Sequence, residues 1–149
     1  MPAGPACRPG PASGKLEHAK AMKVLLVDDS PRFLSAAQRF LSGIGPVGAV
    51  ATARNGFDAV RAVMLDRPDL VLIDLNMPGM EGFAAVHRLK ALDPALPVIV
   101  ISLNECADFR AAAQAAGADG YIAKRDFAAG VVSLFAGRDD AAQSRSRAR

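Results

Sequence analysis

Tryptophan is absent from this chain, tyrosine occurs once, and aromatic residues make up only 5% of it. No aromatic platform for stacking nucleic-acid bases is available, and no recognition helix accompanies the charge, so nucleic acid is not an expected partner. There are two cysteines, Cys7 and Cys106, far apart in sequence. They form neither a disulfide framework nor a zinc-ligand spacing, which fits a reducing, cytoplasmic compartment. The longest apolar runs are strand-sized and far short of a membrane span. Met1 to Gly14 is rich in Pro, Ala and Gly and lacks the apolar segment of a secretory signal. Net charge is small, +3, and much of the surplus sits in Lys15, Lys20, Lys23, Arg138, Arg145, Arg147 and Arg149.

What is present is apolar residue in quantity, 51% of 149 residues, enough for one domain with a sizeable core. Residues 1–22 read as a disordered leader, with Met22 a plausible second start, and 138–149 as a disordered basic tail. Between them, Val24-Leu25-Leu26-Val27 and Leu70-Val71-Leu72-Ile73 are aliphatic runs without polar alternation, as is Val98-Ile99-Val100-Ile101. Such runs suit strands covered on both faces, which belong to parallel sheets flanked by helices. Val47–Ala53 and Tyr121–Ala123 read as shorter strands.

Helical segments alternate with them. Ser30-Pro31 is a strong helix start and leads into Phe33, Leu34, Ala37, Phe40, Leu41 and Ile44 on one apolar face. Asn55-Gly56 opens a helix with Phe57, Val60, Val63 and Met64 expected inward. Gly82 to Leu92 buries Phe83, Val86 and Leu89. A weak Ala-rich helix from about Asp108 to Ala116 has little apolar area and could shift easily. A last helix through Val131, Val132, Leu134 and Phe135 is expected to stop at Gly137. Five strands and five helices in strict alternation predict an α/β three-layer sandwich with right-handed crossovers.

Four of these strands end on residues able to do chemistry: Asp28 and Asp29, Asp74, Ser102, and Lys124. Parallel strands share one carboxyl edge, where ligands gather in open sheets, so these residues should converge. Three carboxylates gathered there repel one another by up to roughly 4 kcal/mol per pair at an effective dielectric near 20. Lys124 offsets one charge, and a divalent cation with hard oxygen ligands, magnesium, would offset the rest. Asp74 then has a metal, an ammonium and a hydroxyl around it, which equips a carboxylate to attack phosphorus.

Asp28-Asp29, Asp74 followed by Asn76-Met77-Pro78-Gly79-Met80-Glu81-Gly82, Ser102, and Tyr121 three residues before Lys124 together resemble the receiver domain of two-component response regulators, over residues 23–137. The resemblance implies a flavodoxin-like (βα)5 fold with a parallel five-stranded sheet of order 2-1-3-4-5. It implies a non-enzymatic, single-domain signalling protein without an output domain, in which Asp74 takes a phosphoryl group from a sensor histidine kinase or phosphotransfer protein. Asp29 and Asp74 would hold magnesium directly, Asp28 through water, and Asn76 through its backbone carbonyl. Ser102 and Lys124 would bind phosphoryl oxygens, and Ser102 with Tyr121 would switch a face for an unknown downstream protein. Dimerisation through the last helix and fifth strand is left open. Arg125 stands where the family commonly has Pro, and Leu103 where a small residue is usual. Two other readings are a degenerate receiver serving as a phosphate-independent scaffold and a magnesium-dependent phosphohydrolase. The second needs a general acid two residues after the nucleophile, a proton Asn76 cannot donate.

Overall fold

In the computed structural model, residues 21–75, 82–104 and 106–147 are described, with side chains through residue 137. The strands are β1 (Met22–Val27), β2 (Val47–Ala53), β3 (Leu70–Asp74), β4 (Val98–Ser102) and β5 (Gly120–Ala123). The helices are α1 (Pro31–Ser42), α2 (Gly56–Leu65), α3 (Gly82–Leu92), α4 (Ala107–Ala115) and α5 (Phe127–Arg147), with a 3-10 turn at Lys124–Asp126 before α5. All strand pairs are parallel, in the order β2-β1-β3-β4-β5. This is the 2-1-3-4-5 order of a flavodoxin-like sheet.

Every residue of β3 and β4 is buried, as their unbroken aliphatic runs require. The alternating side chains supply two cores. Leu25, Val27, Val71, Ile73, Val98 and Val100 pack with Ala59, Val63, Val86, Leu89 and Ala113 from α2, α3 and α4. Val24, Leu26, Leu70, Leu72, Ile99 and Ile101 face Leu34, Ala37 and Leu41 of α1 and Phe127, Val131 and Phe135 of α5. The sheet is therefore the middle of three layers. Among the described residues no helix is long and apolar enough to cross a membrane.

Local chemistry sets the helix starts. Ser30 caps α1, its hydroxyl accepting from the Phe33 N–H at 3.3 Å, with Pro31 in the first turn. Asn55 caps α2, its side-chain oxygen accepting from the Asp58 N–H at 2.8 Å. Cys106 stands at the α4 N-cap without a side-chain cap bond, and Ala113 is the one buried residue of α4. That helix has the small apolar anchor its composition predicts.

Three expectations are corrected. Phe57 and Met64 do not point inward: they are 60% and 70% exposed, while Gly56, Ala59 and Val63 form the buried face of α2. Small residues let the helix lie close to the sheet, so the contact line turns away from the two larger side chains. On α5, Val131 and Phe135 are buried but Val132 is 56% exposed. The helix also continues through Gly137 to Arg147 rather than stopping there with an unstructured tail after it. A single interior Gly costs a helix only about 1 kcal/mol against Ala, and the Ala, Arg and Gln that follow are good helix formers. Of the leader read as 1–22, residues 1–20 lie outside the described residues, and Met22 is already the first residue of β1, paired with Val47.

Two glycines answer to close approach with opposite consequences. A Cβ on Gly82 would stand 2.4 Å from the Cα of Leu75, directly after Asp74, whereas one on Gly137 would meet nothing within 4 Å. Gly82→Ala should lower stability by about 1–3 kcal/mol, and Gly137→Ala should raise it by roughly 0.4–1 kcal/mol. Urea denaturation of both variants measures the pair. Equal and small effects would contradict these packing assignments.

Candidate functional site

Strand register delivers the polar residues to one rim. Val27 pairs with Ile73, Asp74 with Ile101, and Ser102 with Ala123. Asp28 therefore leaves β1 at the level of Asp74, Ser102 ends β4 one step beyond, and Lys124 follows β5 one step beyond that. Neighbouring strands are about 4.8 Å apart, so the four positions form a short staircase.

Burial sets this rim apart. Among the described residues, the buried polar or charged ones are Asp28, Asp74 and Ser102, and all three stand here, 0%, 3% and 0% exposed. Buried carboxylates are unfavourable without compensation. One oxygen from each of Asp28, Asp29 and Asp74 lies within 4.8 Å of the others, with Asp29 half-buried. The Lys124 ammonium stands 2.6 Å from Oδ2 of Asp28 and 3.7 Å from Oδ2 of Asp74. The Ser30 N–H donates to Oδ1 of Asp28 at 2.8 Å. Oδ2 of Asp28 is buried and faces the Lys124 ammonium.

This donor set fits a small, hard divalent cation. It offers carboxylate oxygens on adjoining strands and three negative charges against one positive. Magnesium accepts one or two carboxylates and keeps several waters, which suits an open strand-end rim. The carbonyl of Asn76, expected to complete the set, lies outside the described residues.

Ser102 joins this rim to the β4–α4 loop. Its Oγ accepts from the Asn104 N–H at 3.0 Å, and Oδ1 of Asn104 accepts from the Cys106 N–H at 2.9 Å. The half-buried Tyr121 donates its hydroxyl to the backbone carbonyl of Asn104. The Arg110 guanidinium of α4 lies over the Tyr121 ring, 4.9 Å from its centroid. Asn104 thus connects Ser102, Tyr121 and the start of α4. It escaped sequence reading because two of its three bonds use backbone atoms; the only local sign was a turn-forming residue two positions after Ser102.

Phe33 was also missed. It read as one more apolar residue of α1, yet its ring lies 4.4 Å from the Lys124 ammonium. Lys124 reaches the cluster although Arg125 follows it, opening the 3-10 turn. Leu103, beside Ser102, is 69% exposed. His87 is exposed, as expected of a surface residue.

Asp29 is the carboxylate whose charge Lys124 does not contact. Without metal, Asp29→Asn should raise stability by roughly 1 kcal/mol by relieving repulsion. Millimolar magnesium should raise the melting temperature of the wild type by binding the folded state, and raise it less in Asp29→Asn. A wild-type melting temperature indifferent to magnesium would contradict the assignment.

The chain matches the family model described as "Response regulator receiver domain" over residues 24–131. It is 40% identical over 102 residues to the transcriptional regulatory protein PrrA of Mycobacterium tuberculosis, covering 68% of this chain and 43% of that protein. It is 32% identical over 101 residues to the nitrate/nitrite response regulator protein NarL of Escherichia coli, covering 68% and 47% respectively. The chain spans less than half the length of these curated relatives. Among solved structures, the signal receiver domain of the putative response regulator NarL from Mycobacterium tuberculosis superposes with a TM-score of 0.69 at 27% identity, covering 77% of this chain and 96% of that one. Vibrio cholerae chemotaxis protein CheY4 superposes with a TM-score of 0.65 at 28% identity, covering 70% and 87%.

Proposed function

The chain belongs to the response regulator receiver family, and from that premise we propose that it is a cytoplasmic protein whose Asp74 accepts a phosphoryl group from the phosphohistidine of a sensor histidine kinase or phosphotransfer protein. The observation that carries this reading is the confinement of the buried polar side chains to the rim around Asp74, with Lys124 beside them. A carboxylate oxygen of Asp74 forms the new bond to phosphorus as the phosphorus–nitrogen bond of the donor breaks, and the imidazole leaves. Magnesium, held by Asp28, Asp29, Asp74 and the carbonyl of Asn76, would supply charge stabilisation to the phosphoryl oxygens. The Lys124 ammonium moves from Asp28 to a phosphoryl oxygen, and the Ser102 hydroxyl donates to another.

Once Ser102 turns its hydroxyl toward the phosphoryl group, its bond from the Asn104 N–H is given up. The carbonyl that receives the Tyr121 hydroxyl belongs to the same residue, so the β4–α4 loop and the Tyr121 ring respond together. A cavity of about 210 Å³ lined by Arg110, Gln114, Asp119 and Tyr121 adjoins this ring, and its shape changes with the ring. The output is a protein-binding face on α4, β5 and α5 with two states biased by a local charge change.

Incubation with acetyl phosphate and magnesium should add the mass of one phosphoryl group to the intact protein, and Asp74→Asn should abolish the gain. Absence of the adduct on the wild type would remove this function. Leu103→Ala should speed labelling or loss of the phosphoryl group, because Leu103 narrows access to Ser102 and Asp74. Unchanged rates of both would dispose of that gating role.

A further inference from the structure

We infer that Phe33 is a positioning residue for Lys124, its ring face holding the ammonium where it can pass from Asp28 to an incoming phosphoryl oxygen; this rests on the phosphoacceptor reading above. An ammonium has three N–H donors and no acceptor. In Lys124 one side of that group faces Oδ2 of Asp28 at 2.6 Å and Oδ2 of Asp74 at 3.7 Å, and the Phe33 ring stands 4.4 Å away. The Lys124 side chain is 15% exposed, so the ring acts on a largely desolvated cation, where such contacts are strongest.

The ring is itself held in place. Phe33 meets Phe127, the first residue of α5, edge to face at a centroid distance of 5.3 Å. Phe127 also meets Phe40, two helical turns further along α1, at 6.2 Å. Phe127 is 7% exposed and belongs to the core between α1, α5 and the sheet. Phe33 is thus wedged between the catalytic rim and a packed helix start, and cannot swing away without opening an aromatic cluster.

The chemistry of the contact suits the step assigned to Lys124. A hydrogen-bond acceptor in place of the ring would fix one N–H and resist the ammonium's displacement. A π face attracts the cation over a broad area and in no single orientation, so Nζ can slide by the distance between two oxygens while the contact persists. Phe33 therefore keeps the ammonium at the rim in both states without pinning it to either.

The test combines a resonance readout with a rate. In the unphosphorylated protein without magnesium, the ε-methylene protons of Lys124 should resonate upfield of those of the other lysines. Phe33→Leu should remove that displacement and Phe33→Tyr should keep it. With acetyl phosphate and magnesium, Phe33→Leu should label about three- to tenfold more slowly, the equivalent of roughly 0.6–1.4 kcal/mol and so within the span of cation–π contacts between exposed and desolvated settings, and Phe33→Tyr near the wild-type rate. Phenylalanine carrying one, two or three ring fluorines at position 33 keeps the shape while draining the ring face of charge. Labelling should slow with each fluorine at an unchanged denaturation midpoint, a trend that mere packing would not produce and that does not depend on Phe33→Leu folding. Labelling of Phe33→Leu or the trifluoro protein at the wild-type rate, or an unshifted Lys124 methylene in the wild type, would overturn the assignment. Failure of the wild type to label would instead overturn the phosphoacceptor reading, and the methylene shift would still decide where Lys124 rests.

Discussion

Three carboxylates held within 4.8 Å of one another at the end of a buried sheet are the constraint around which this protein is built. Left alone they would repel, and two of them are almost wholly removed from water. The register of β1, β3 and β5 fixes where they and Lys124 emerge, and the hydrophobic cores on both faces hold that register against the repulsion. Lys124, the Ser30 N–H and the Phe33 ring each offset part of the unfavourable charge. What remains uncompensated is negative charge, which a divalent cation would offset.

The same rim is coupled to a weakly anchored part of the fold. α4 buries one alanine and starts at Cys106 without a side-chain cap, whereas α1 and α5 are pinned by Leu34, Leu41, Val131 and Phe135. Asn104 bonds to Ser102 on one side and receives Tyr121 on the other, with the first turn of α4 attached through the Cys106 N–H. A small change in the Ser102 hydroxyl therefore meets little resistance on the α4 side and much on the α1 side. Elements of low local stability are where such responses are found.

Much of this was legible in the sequence because strands buried on both faces carry no alternation, and a polar residue at their end marks where the sheet meets solvent. Asp28, Asp74, Ser102 and Lys124 were readable on that ground, as was the parallel order once the receiver resemblance was drawn. The facing of α2 was not. Counting large apolar residues favours Phe57 and Met64, but close packing against a sheet favours Gly56 and Ala59, and periodicity alone does not weigh size. Gly137 misled for a related reason, since one glycine is a small cost in a long helix. Phe33 was invisible because its contact joins it to Lys124, far along the chain, through a ring face, and Asn104 because two of its three bonds use backbone atoms.

Chemical trapping at Asp74 is the most direct test of the central claim. An aspartyl phosphate is an acyl phosphate, which borohydride reduces to the alcohol with release of phosphate, leaving homoserine in place of the aspartate. After treatment with acetyl phosphate, magnesium and then borohydride, peptide mass mapping should find homoserine at position 74 and intact aspartate at 28 and 29. Reduction at another carboxylate, or at none, would contradict the assignment of Asp74 as the residue that this strand-end cluster serves.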